Sequence, residues 1–208
     1  MASAARGQPS VRWQDFVDKR PILSLILVGI IATQLGTYFG YVFPAIGLPE
    51  LPWPLYNGDL VAPATTLNET GEFVWGTSEQ FFVGQSMHFI NGIVFAILFG
   101  VLVRPLIGWT RTVGGNIRMG LLYGVVMTII SAGLLVPYAY VPDQGYGLFV
   151  FYGPDGWKLP FGILLWHLIY GLFLGLLYQP RDEGEAATPE RVVEVQAAEP
   201  EPQQSAGV

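Results

Sequence analysis

No cysteine occurs in the 208 residues, which excludes disulfides, thiolate metal sites and a cysteine nucleophile. The redox compartment stays open. Charge is the second scarcity: 12% of residues are charged, about half the usual share, against 51% hydrophobic. A soluble fold needs a charged surface, and outside its ends this chain has little. Histidine is the third, with two residues. Motifs for phosphate binding or hydrolysis are also missing. Gly114-Gly115-Asn116 is a loop turn and not a P-loop, because no Lys-Ser/Thr follows. The reading is therefore of a protein with no catalytic residues to name, leaning away from an enzyme.

What the chain does have is four long runs without charge: Ile22–Phe43, Phe81–Val103, Met119–Pro142 and Leu159–Pro180. A spanning helix needs roughly 20 mostly apolar residues to cross about 30 Å of hydrocarbon. The expected spans are residues 22–43, 81–103, 119–141 and 159–179. The first is expected to stay in the membrane and not be cleaved: it is too long for the apolar region of a signal peptide, and no small-x-small site follows. Arg6, Arg12, Lys19, Arg20, Arg104, Arg111, Arg118, Arg181 and Arg191 fall on one side of these spans, and Lys158 alone on the other. The positive-inside rule then makes the first side cytoplasmic. The fold class expected is an all-α membrane protein in the plasma membrane. It is a four-helix up-down bundle built from two tandem helical hairpins, with both termini cytoplasmic. The cytoplasmic side carries nine basic and nine acidic residues, so nucleic acid is not an expected partner. The lipid bilayer is, together with a membrane-protein partner or a second copy of the chain.

Residues 1–20 form a short lead in which Trp13, Phe16 and Val17 fall at helical spacing beside Arg12 and Lys19, as in an interfacial helix or a frayed tail. Outer loops span residues 44–80 and 143–158. The first is rich in proline (Pro44, Pro49, Pro52, Pro54, Pro63), which disfavours regular helix. Both are aromatic, reading either as a membrane-surface belt or as a lid or docking surface. The loop over 104–118 is short and makes spans two and three antiparallel neighbours. The tail, 181–208, is acidic, without aromatics, and expected to be disordered.

Both histidines lie inside spans, and the segments around them repeat. His88, Gly92, Ala96 and Phe99 match His167, Gly171, Gly175 and Tyr178 in the pattern H-x3-G-x3-[AG]-x2-[FY]. These positions share one helix face. Small residues four apart let helices approach closely, so Gly92, Ala96, Gly171 and Gly175 are the expected packing positions. Spans one and three echo more weakly, Gly29-Ile-Ile-Ala-Thr33 against Gly124-Val-Val-Met-Thr128. Matched distances from the outer helix ends put the histidines at one depth, facing the interior.

Together with Arg118, Gly120, Tyr123 and Gly124 at the third span and Phe95 and Tyr170 in the second and fourth, these motifs resemble a bacterial and archaeal family of four-helix membrane proteins of unknown function. The resemblance covers roughly residues 22–180, without the aromatic first loop or the acidic tail. It implies a fold and no activity. Four roles are open for His88 and His167. They can act as interhelical glue with Thr33, Gln34, Gln85, Asn91, Thr128 or Ser131. They can be axial ligands of a b-type haem, with Gly36, Gly40, Gly120, Gly124 and Gly133 making room for the porphyrin. A proton or small-solute path would use them with Asn91, Tyr170 and Tyr178. A metal site would be incomplete, because every carboxylate is in a loop. The leading expectation is a non-enzymatic accessory or assembly subunit without a cofactor. The alternatives are a di-histidine haem b electron-transfer protein and a small-solute or proton transporter.

Overall fold

The computed structural model describes residues 10–63, 67–71, 74–107, 112–142 and 145–181. The tail expected to be disordered lies outside them from residue 182 on, as do the first nine residues. Among the described residues every regular element is helical: α1 (Ser10–Lys19), α2 (Pro21–Val42), α3 (Trp53–Val61), α4 (Ser78–Leu98), α5 (Arg104–Ile107), α6 (Val113–Ile130) and α7 (Lys158–Leu177). Two π-helical stretches, Phe99–Val103 and Ser131–Tyr140, prolong α4 and α6. Four helices are then long and apolar enough to cross a membrane: Pro21–Ile46, Ser78–Ile107, Val113–Tyr140 and Lys158–Leu177.

Local chemistry sets the helix ends. Pro21 opens α2, where a missing N–H costs nothing. Thr77 and Gln80 form a capping box at α4, and the Thr112 hydroxyl accepts from Gly115 N at α6. In the third span Pro137 has no N–H to give, and its ring crowds the carbonyl one turn back. The widened π register over Ser131–Tyr140 keeps that helix continuous.

The long helices bury small and weakly polar residues beside apolar ones and expose large apolar side chains. α2 buries Ser24, Gly29, Thr33, Gly36, Thr37 and Gly40, and exposes Ile22, Leu23, Leu27 and Ile31. Small and weakly polar residues inside, with branched apolar residues outside, are what packing in hydrocarbon requires. α2 packs against both α4 and α7, and α6 packs against α7, whereas α4 and α6 are linked mainly through side chains. A Cβ on Gly29 would lie 3.0 Å from Ala96 Cβ and 3.0 Å from Gly92 O. A Cβ on Gly120 would strike Gly171 O and reach within 3.1 Å of Gly175 N. Gly29 therefore stands to Gly92 and Ala96 as Gly120 stands to Gly171 and Gly175. That register corrects the pairing of Gly29 with Gly124 read from the sequence by one helical turn.

The proline-rich loop is not irregular throughout, contrary to expectation. After a 3-10 turn over Phe43–Ile46 and a left-handed Gly47, the chain folds back and Leu51 N bonds Gly40 O at 3.2 Å. Pro52 and Pro54 sit at the start of α3, where helices accept proline. α3 then lies along α4, with Gly58 against the Gln80 backbone and Gly84 against the Pro54 backbone.

At the other end of the bundle α1 docks under α7. Trp13 Nε1 donates to Leu177 O at 2.8 Å, satisfying a helix-terminal carbonyl, and Val17 is fully buried. Arg181 pairs with Asp15 at 2.7 Å and Asp18 at 3.3 Å, and its N–H bonds Asp18 Oδ1 at 2.9 Å. The lead and the end of α7 thus meet at one end of the molecule. Trp13→Phe keeps the packing and removes the bond, so it is expected to cost about 1 kcal/mol in a detergent unfolding titration.

Candidate functional site

α4 and α6 stand apart in the half of the bundle nearest α3, and a cavity of about 290 Å³ occupies the gap. Its wall takes Thr33 from α2, Trp53 and Asn57 from α3, and His88, Asn91, Gly92 and Phe95 from α4. Met127, Ile130, Ser131, Leu135 and Tyr140 come from the third span, and Trp166, His167 and Tyr170 from α7. The structure brings both histidines to this one cavity. Gly92 borders it, while Ala96, Gly171 and Gly175 lie in the helix contacts beyond it.

Asn57 organises the polar side. Its Nδ2 donates to Trp53 O at 2.8 Å and, over a long 3.4 Å, to His88 Nδ1. Its Oδ1 accepts from Asn91 Nδ2 and from the Tyr140 hydroxyl, both at 3.1 Å. All four hydrogen-bonding positions of this amide are therefore used. The tautomer of His88 follows from its other partner. Thr37 spends its hydroxyl proton on Thr33 O at 2.8 Å, so at the 2.9 Å contact His88 Nε2–H must donate to Thr37 Oγ1. Nδ1 is then the acceptor that Asn57 needs. His88 is thus a tie between α2, α3 and α4, about 15 Å along α4 from its first residue.

His167 differs. Its Nδ1–H donates to Ile163 O, one turn back on its own helix, at 2.8 Å. With no charged side chain among the described residues on the cavity wall, the ring is neutral, so the lone pair is on Nε2, and no described protein group bonds that atom. Thr33 Oγ1, Trp53 Nε1 and Trp166 Nε1 also lack a partner, but they are sealed within the packing, Trp166 Nε1 against Gly36 of α2.

Trp166 is the hub of the aromatic side. It stacks on Tyr170 at 6.0 Å with 6° between planes, meets Trp53 edge-on at 6.4 Å, and lies 5.4 Å from the His88 ring and 5.1 Å from the His167 ring. The glycines of α2 make room for it: a Cβ on Gly36 would sit 2.9 Å from the indole, and one on Gly40 3.2 Å. Tyr170 reaches across to α4, where its hydroxyl donates to Gly92 O at 2.7 Å.

This arrangement does not fit a haem between the histidines. His88 has no free lone pair to offer an iron, and Trp166 lies against both imidazoles. The glycines expected to accommodate a porphyrin are used otherwise: Gly36 and Gly40 by Trp166, Gly120 and Gly124 by the α7 backbone, and Gly133 by Phe149. Among the described residues no three of His, Asp and Glu stand together as a metal site.

Of the polar partners expected for the histidines, Asn91 joins the network, while Thr128 bonds Gly124 O on its own helix. The sequence reading missed Thr37, Trp53, Asn57, Tyr140 and Trp166. Trp53 and Asn57 did carry a signal, since four-residue spacing puts them on one helix face. Trp166 and Tyr170 share the same spacing in the fourth span. The fold and the site define a class, a helical multi-pass membrane protein with an internal cavity. Comparisons with protein-family models, curated proteins and solved structures give no match.

Proposed function

We propose that the chain is a non-enzymatic ligand-binding protein of the plasma membrane, an accessory subunit in which the bundle encloses a small molecule. The observation that carries this reading is the cavity within the membrane-crossing helices, with His167 on its wall and no protein group bonded to His167 Nε2 among the described residues. A volume of about 290 Å³ is at the small end of ligand pockets. Buried polar atoms without partners are costly, and a ligand or ordered water that bonds them recovers the loss. Binding is favoured over passage, because the core beyond the cavity is closed. There Tyr123 donates to Phe95 O at 3.0 Å and packs on Phe99, and Phe99 and Met119 are fully buried. Native mass spectrometry of protein released from lipid nanodiscs tests the reading. A stoichiometric small molecule, lost in a cavity-filling Ser131→Phe variant, is expected. Identical spectra for both proteins, without bound mass, would overturn it.

In this reading the bundle is up-down, built from two tandem hairpins, with both termini cytoplasmic. The basic asymmetry supports that orientation, and the docking of α1 under α7 supports a shared side. A cysteine at exposed Glu69 is expected to react with an impermeant label on intact cells, and one at exposed Gly114 only after lysis. Labelling at Gly114 alone would reverse the orientation.

A further inference from the structure

We infer that the cavity takes an uncharged, bilayer-dissolved alcohol or phenol, whose hydroxyl donates to His167 Nε2 while its apolar body lies against α4 and α6. This rests on the binding function proposed above and names its ligand class.

Three observations select that class. The first is the sign of the free hydrogen-bonding groups. His167 Nε2 carries a lone pair because Nδ1–H is committed to Ile163 O at 2.8 Å. It asks for a donor. A hydroxyl group supplies that donor, whereas a ketone, an ether or a hydrocarbon leaves His167 unmatched.

The second is charge. Among the described residues no Asp, Glu, Lys or Arg lines the cavity. An ionised ligand would enter a site with nothing to compensate the loss of its hydration, which costs far more than one hydrogen bond returns. Carboxylates, phosphates and amines are disfavoured on that ground.

The third is the opening. Ile130 and Leu135 line the cavity and are also surface residues, 42% and 38% exposed. They belong to the apolar exterior of a membrane-crossing helix, so the cavity reaches the surface where hydrocarbon would lie. Phe95 and Met127 continue the apolar wall inward. The Asn57 amide, the His88 ring, Asn91 Nδ2 and the Tyr140 hydroxyl are already bonded within the protein. The ligand therefore comes from the bilayer with one hydroxyl and an otherwise apolar frame.

Equilibrium dialysis of the full chain in lipid nanodiscs, against empty discs, tests this with three probes of one size: 2-naphthol, naphthalene and 2-naphthoate. Saturable binding of 2-naphthol is expected, about tenfold tighter than naphthalene, the equivalent of one net hydrogen bond. Naphthoate is expected to show none above empty discs. His167→Phe should bring 2-naphthol down to the level of naphthalene, and His167→Gln, which keeps an acceptor, should preserve the preference. If His167→Phe does not fold, the wild-type comparison of 2-naphthol with naphthalene still decides the hydroxyl inference. Equal saturable binding of naphthol and naphthalene would overturn the hydroxyl inference and leave the binding function standing. Saturable binding of naphthoate would overturn the exclusion of charge. No saturable binding by any probe would remove both the inference and the function beneath it.

Discussion

Gly171→Leu is expected to destabilise the protein by more than about 3 kcal/mol, separating α6 from α7 in detergent at temperatures where the wild type is folded. Overpacking usually costs about 1–3 kcal/mol, because side chains can rotate out of the way. Here nothing can rotate. A Cβ on Gly171 would strike Gly120 O and lie 2.8 Å from Gly120 C, and a Cβ on Gly120 would lie 3.0 Å from Gly171 C. Backbone faces backbone on both sides, so any added carbon must push the helices apart. Separation would also undo the contacts of Gly124 with His167 O and of Gly175 with Asn116 O. Gly114→Leu serves as the control, since a Cβ there meets nothing within 4 Å. Its melting temperature should stay close to that of the wild type. Equal melting of Gly171→Leu and wild type would mean that α6 and α7 do not pack on their glycine faces.

The helices were legible because membrane insertion is a property of each segment alone. A charge-free run of the right length crosses hydrocarbon whatever its neighbours are, and the four runs coincide with the four long apolar helices to within a few residues at most ends. The small-residue positions were legible for a related reason: four-residue spacing marks one face before the partner of that face is known. The partner itself was not legible. Gly29 meets the repeat glycine of the next span in the register that Gly120 shows, and only the packed helices reveal this. Tertiary pairings from the first loop were further out of reach. Prolines at residues 44–63 argue against helix on local grounds, yet two of them open α3, because the N-terminal turn is where proline is tolerated. Once α3 exists, Asn57 enters the bundle as the partner of His88, replacing the candidates taken from the spans. The glycines of α2 show the same limit. They announced that something large was accommodated, and the occupant is the indole of Trp166.

Asn57→Leu is expected to cost about 2–4 kcal/mol and to loosen α3 from the bundle without disturbing the four long helices. Among the described residues the amide is the one side chain that joins α3, α4 and the third span by polar bonds. Removing it deletes bonds to Trp53 O, His88, Asn91 and Tyr140 together. Side-chain hydrogen bonds between membrane helices average about 0.6 kcal/mol each, with a maximum near 1.7. Four of them, one long, give roughly 2 kcal/mol. The groups left behind add to this, because an unpartnered buried donor or acceptor costs more than the bond itself contributed. Water in the adjoining cavity recovers part of that addition, which keeps the total below the cost of four sealed orphans. Leucine is close to asparagine in size, so the change reports chemistry more than volume. Two measurements separate the network from simple packing. Proteolysis within residues 44–77 should speed up in Asn57→Leu, while helical circular dichroism keeps most of its amplitude. Thr37→Val removes the acceptor of His88 Nε2–H and the hydroxyl bond to Thr33 O within α2, and touches nothing on α3, so it should cost about 1 kcal/mol and leave proteolysis of the loop unchanged. If Asn57→Leu and Thr37→Val cost the same, Asn57 does not hold α3 in place, and apolar packing of Trp53 against Trp166 and Tyr140 carries the loop instead.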